Sequence, residues 1–236
     1  MKCILTLILL LCIQLNVFAT DSIDPSLRKN ELTQQLKELK NNHLYLIGKI
    51  TALKGGRLPA LSPKERKIVK EYKELNKLLT FWTASAGLKE ALVNRYIQAT
   101  QKQVDEDLNF EAANLSFELI QEIDRLQKQY KINSFPMVHN FLIMLHYKKR
   151  GACKDWAEDL LKKIEKIPRK YFTAYWGEAF PGKVTEHNVA VLVPHGTSFN
   201  EGLMIDPWRT AGKPFWLHVT KDHFYKWQAW PAYEPR

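Results

Sequence analysis

The chemistry available to this sequence begins with one thiol. The chain has three cysteines, Cys3, Cys12 and Cys153. The first two lie in an N-terminal stretch built like a secretory signal, with Lys2 ahead of the apolar run Ile4 to Leu11, then Val17-Phe18-Ala19 before Thr20. That pattern predicts cleavage near Ala19 and export to a periplasmic or extracellular space. Gln14 and Asn16 break the run short of a bilayer span, so no transmembrane span is expected in the mature form. Cys153 would then be the lone cysteine, unable to form an internal disulfide. In an oxidising compartment an idle exposed thiol is a liability.

The surroundings of Cys153 give it a place. Trp156, Ala157, Leu160, Leu161, Ile164 and Ile167 recur on one helical face. Asp155, Glu158 and Asp159 come early, Lys162, Lys163 and Lys166 late, and Pro168 stops the run, an order that suits the helix dipole. Cys153 therefore opens a helix, where unpaired N–H groups favour a thiolate and can face an oxyanion. Taken alone, the segment fits a packed structural cysteine better than a reactive one.

A thiolate needs a base, and a base needs an orienting group. Thr185 to Val193 reads as a strand in which His187 alternates in step with Val189, Val191 and Val193. Leu203 to Trp208 reads as the next strand and carries Asp206, a carboxylate that burial would force into a pair. A hairpin register pairing Val193 with Asn200, turning through His195 to Ser198, sets His187 opposite Asp206. His195 is expected in solvent. His218 and His223 fall among Trp216, Phe224 and Trp227, where packing is the expected role.

With those residues in view, the segments GACKDWAEDL, EHNVAVLV and GLMIDPWR resemble the transglutaminase-like branch of the papain-like cysteine enzymes. The resemblance spans about residues 145–210. It implies a cysteine-bearing helix packed on an antiparallel sheet, with histidine and aspartate on successive strands. It makes Cys153 the nucleophile, His187 the general base and Asp206 its orienter. Val189 stands where many members carry an aromatic residue. An oxyanion donor is expected upstream of the cysteine, with Asn140, His146 and Tyr147 as candidates. The implied activity is cleavage of amide or peptide bonds, or transamidation, on a protein or peptide substrate, without cofactor or metal. The alternative is a non-enzymatic helical binding module of the cell envelope that keeps such a core as scaffold.

The remaining sequence must position that site. Composition is that of a globular chain, 45% hydrophobic and 25% charged over 236 residues, enough to bury a core. Leu32, Leu36, Leu39, Leu46, Ile50 and Leu53 form a helical stripe that Gly55-Gly56 and Pro59 end. Ser62-Pro63-Lys64-Glu65 opens a second helix as a capping box. Further helices are expected near 86–105, 109–130 and 137–147. After residue 150 the aromatics concentrate, and strands are expected at Tyr171 to Phe180 and at the two segments above. The predicted fold is α+β: a signal peptide at 1–19, a helical region at 20–132, and the cysteine-bearing core at 133–236. The net charge of +10 favours an anionic envelope partner, while Lys64, Lys67, Lys70, Lys73 and Lys77 fit a solvated helix face. No nucleic-acid motif or zinc-ligand spacing is present.

Overall fold

The structure, a computed structural model, describes residues 24–52, 61–132, 135–231 and 233. The signal-peptide reading and the stop at Gly55-Gly56 and Pro59 lie outside the described residues. Six helices are described: α1 (Pro25–Asn42), α2 (Leu44–Ala52), α3 (Pro63–Thr100), α4 (Glu106–Gln129), α5 (Pro136–Met144) and α6 (Cys153–Glu165). Five strands follow: β1 (Phe172–Ala179), β2 (His187–Pro194), β3 (Leu203–Ile205), β4 (Trp216–His218) and β5 (Gln228–Ala229). They form one antiparallel sheet in the order β4-β3-β2-β1-β5. The chain is α+β, with its helices concentrated in the N-terminal part. None of the described helices is long and apolar enough to cross a membrane.

The second helix starts as the sequence predicts. The Ser62 hydroxyl accepts from the Glu65 N–H at 3.3 Å, the Glu65 carboxylate accepts from the Ser62 N–H at 2.7 Å, and Pro63 takes the first turn. Its far end does not follow the expected division. One helix runs unbroken to Thr100 where two were expected, because nothing between Leu79 and Ala86 breaks it. Gly87 inside it serves close packing, since a Cβ there would stand 3.2 Å from the Trp216 ring. The five lysines of its first half are exposed, as a solvated face requires.

Helices and sheet share a core. Leu88, Leu92 and Tyr96 of α3, Leu115, Leu119 and Ile123 of α4, and Trp156, Leu160 and Ile164 of α6 meet Ala174, Ala190, Leu192 and Ile205 of the sheet. The alternate residues Val189, Val191, Val193 and Met204 form a second cluster with Val219. Every residue of β2 is buried, as a strand covered on both faces must be.

The β2–β3 register corrects the expected one. Leu192 pairs with Leu203, Val191 with Met204 and Ala190 with Ile205, two residues away from the Val193–Asn200 register. The connection is longer than a simple turn because Phe199–Glu201 coil into a 3-10 turn, tied to α3 by the Arg95–Glu201 ion pair at 2.7 Å. A shift of two preserves side-chain parity, so His187 and Asp206 remain near neighbours across the sheet. β3 ends at Ile205, and Asp206 follows it with its N–H bonded to Phe215 O at 2.9 Å.

Glu111 joins the helical layer to β1. Its buried carboxylate accepts from the backbone N–H groups of Lys170 at 2.5 Å, Tyr171 at 3.0 Å and Phe172 at 3.2 Å. An unmet buried N–H costs about 1–3 kcal/mol. Glu111→Ala should therefore lower stability in urea unfolding by roughly 3 kcal/mol or more. A loss within about 0.5 kcal/mol, the range of an ordinary surface substitution, would show that β1 does not depend on this cap.

Candidate active site

Cys153 is the first residue of α6, and the turn before it is tightly held. Gly151 has φ +116°, a conformation that L side chains rarely adopt, and a Cβ there would lie 2.4 Å from His139 Nε2. The Asp155 carboxylate accepts from the N–H groups of Gly151 at 2.8 Å and Ala152 at 3.0 Å. Tyr130 donates its hydroxyl to Asp159 at 2.6 Å and packs edge-on against Trp156 at 5.0 Å. His139, 1% exposed, bonds Arg150 O through Nε2 at 3.0 Å. Among the described residues the N–H groups of Cys153 and Lys154 have no acceptor. They are the free donors that the first turn of a helix provides.

His187 heads β2 beside that thiol. Its neighbours hold the strand end: the Glu186 carboxylate accepts from Gly182 N–H at 2.8 Å and from the Asn188 amide at 3.0 Å, and Asn188 accepts from the Trp176 indole at 2.7 Å. The Cys153 thiol donates weakly to Glu186 O at 3.9 Å. The imidazole is 1% exposed, and its Nε2–H donates to Asp206 Oδ2 at 2.8 Å. Nδ1 has no hydrogen-bond partner, which leaves it as the ring nitrogen available to the thiol. Three rings enclose the imidazole: Trp208 at 4.6 Å, Tyr225 at 4.8 Å and Trp227 at 5.4 Å between centroids.

Burial opposes a charge on this imidazole, but the Asp206 hydrogen bond and the adjacent Cys153 outweigh it and raise its pKa to about 9. At neutral pH the ring is an imidazolium beside Asp206 and Cys153.

Asp206 is 1% exposed and has a second partner. Arg209 donates Nε to the same Oδ2 at 2.9 Å, and the Arg209 N–H donates to Oδ1 at 3.3 Å. The other end of the guanidinium donates to Asp222 Oδ2 at 2.7 Å. Asp222 also accepts from Phe224 N–H and from the Trp227 indole, both at 3.0 Å. The guanidinium lies over the Phe215 and Tyr225 rings, 5.2 and 5.0 Å from their centroids. The result is a chain of alternating charge, His187–Asp206–Arg209–Asp222, that ends by holding one of the rings around the imidazole.

Cys153, His187 and Asp206 are thus brought together. Of the three oxyanion candidates, His146 and Tyr147 are exposed. Asn140 is turned inward and accepts from the Trp208 indole at 3.2 Å, one ring removed from His187. His195 is exposed, as expected, and bonds Thr173 at 3.1 Å. Sequence reasoning passed over Arg209, although an arginine three residues after an apolar-strand aspartate was a signal for pairing. It also placed Trp227 only in an aromatic-rich tail and did not single out Tyr225. No protein-family model matches the chain, and no curated protein and no solved structure matches it.

Removing Arg209 should leave the Asp206 carboxylate undercompensated. Arg209→Met is expected to lower stability by about 1–3 kcal/mol in urea unfolding, through the loss of charge-assisted bonds to two carboxylates. The same substitution in an Asp222→Asn background should cost less. Equal costs in the two backgrounds would mean that the charges do not act as one chain.

Proposed function

We propose that this chain is an exported thiol enzyme of transglutaminase-like type, acting on amide or peptide bonds through Cys153, His187 and Asp206. The observation that carries the reading is the buried imidazole, bonded through Nε2 to Asp206 at 2.8 Å, with its other ring nitrogen unbonded and the helix-opening Cys153 adjacent. In this reading the Cys153 thiolate attacks an amide carbonyl and a C–S bond forms. The C–N bond breaks as the imidazolium gives its proton to the leaving amine. The N–H groups of Cys153 and Lys154 face the oxyanion.

Once the sulfur is acylated it no longer carries charge, and its share in raising the imidazole pKa is lost. The imidazole, having given its proton to the leaving amine, then stays neutral and can take a proton from water or from an acceptor amine. Water releases an acid; an amine gives transamidation. Hydrolysis is the simpler form, because water needs no second binding site. The non-enzymatic scaffold is the second reading, supported by the enclosure of the site. Cys153 is only 8% exposed, and aromatic rings surround the imidazole.

The pH dependence of Cys153 alkylation by iodoacetamide separates the two. The imidazolium is present below about pH 9 and lost above it. Below that pH the positive charge beside the sulfur should favour its reaction, so wild type should be alkylated faster than His187→Ala between about pH 6 and 8. Above about pH 9, where the imidazolium is lost, the two rates should converge. Parallel profiles, or a thiol reactive only after unfolding, would sink the enzyme reading and favour the scaffold.

A further inference from the structure

Helix α5 is inverted. In a surface helix the apolar side chains face the core and the polar ones face water. Here the polar residues face inward: His139 is buried against Arg150 O, and Asn140 accepts from the Trp208 indole. The outward residues are apolar. Phe135 is 80% exposed, Met137 72% and Tyr147 79%, with Val138, Phe141 and Met144 exposed between them. An apolar patch kept in water marks a surface that something else covers.

The segment that carries this patch has charge of one sign. From Arg125 to Lys154 the chain carries Lys128, Lys131, Lys148, Lys149 and Arg150 and no Asp or Glu. Arg150 is engaged with Asp155, Glu158 and Asp159, which lie on α6. Lys128 pairs with Asp124. Lys131 and Lys149, on either side of α5, are exposed.

We propose that α5 and its flanks dock the protein onto an anionic lipid surface, with the apolar side chains among the acyl chains and Lys131 and Lys149 at the head groups. The chemistry is that of an interfacial helix, apolar area plus flanking cations. The backbone amides of a helix are bonded within it, so this surface offers few directional groups with which to read an extended peptide. It offers area and point charges, which suit a fluid apolar phase under a negative layer. The inference does not rest on the enzyme reading. Through Asn140 and Trp208, however, the same helix abuts His187, so docking would set the candidate active site beside the membrane.

Vesicle flotation tests it, using the full chain with phosphatidylcholine vesicles and with mixed phosphatidylcholine–phosphatidylglycerol vesicles. Wild type should float with the anionic vesicles, less with the neutral ones, and less as salt rises. Phe141→Ser/Met144→Ser should weaken anionic-vesicle binding by about tenfold or more. Lys131→Glu/Lys149→Glu should abolish the preference for anionic lipid. All four positions are exposed, and unchanged Cys153 alkylation would report an intact fold. Any lipid affinity of the apolar N-terminal stretch is common to wild type and variants, so the difference reads α5 alone. Wild type that does not float with anionic vesicles, or variants that float as well as wild type, would overturn the proposal. So would Phe141→Ser/Met144→Ser dispersing a self-associated form in sedimentation, or slowing peptide turnover, with flotation unchanged. Those outcomes would assign the patch to a second copy or to a peptide.

Discussion

The Asp206 carboxylate lies where water scarcely reaches it, and much of the site answers that fact. Taking a carboxylate out of water costs several kcal/mol even after the protein relaxes. Here an imidazole and a guanidinium both donate to its Oδ2. The guanidinium in turn needs a second carboxylate, and Asp222 supplies it. Burial works against the charge on Asp222, but bonds from Arg209, Phe224 N–H and the Trp227 indole hold its pKa below the usual carboxylate range. The enclosure of His187 is thus suspended from the charge chain that orients it. The rings exclude water from the imidazole, and exclusion strengthens the electrostatics that hold the rings.

What could be read in the sequence was whatever depended on residue type at a place. A cysteine before an amphipathic run, a histidine heading a valine-rich strand and an aspartate ending an apolar one are each visible locally. The structure brings those three residues together. What depended on connection length was hidden. The 3-10 turn at Phe199–Glu201 is tied to Arg95, more than a hundred residues earlier, and it lengthens the connection between strands whose register differs by two from the expected one. The shift left the encounter of His187 and Asp206 intact only because it was an even number. The C-terminal strands β4 and β5 span three and two residues, too few to show alternation. Nothing in the local sequence therefore announced that Tyr225 and Trp227 return to the imidazole. The unbroken α3 was equally hidden, since a separate helix was expected to start only near residue 86.

The two faces of the sheet are covered by different means. Long helices lie on one face and share its core, with Glu111 receiving the first amides of β1. On the other face the cover is short: the 3-10 turn, Phe215, Leu217, Val219 and Trp227. Rigid helices bury much apolar area per residue, while irregular chain must be held by specific bonds such as those that meet at Asp222. The helix that carries Cys153 belongs to the first layer, and the rings around His187 come partly from the second. The candidate site is therefore a seam between a firmly packed layer and a lightly tethered one, the kind of place where local opening is easiest.

The covering of His187 by Tyr225 and Trp227 also imposes an order in time. A polypeptide emerging from the ribosome presents Cys153, His187 and Asp206 before these rings. Until they arrive, the imidazole is open to water on that side and Asp222 has not yet closed the charge chain. A nascent chain halted between Asp206 and Asp222 holds Cys153, His187 and Asp206 but neither the rings that enclose the imidazole nor the second carboxylate that pairs with Arg209.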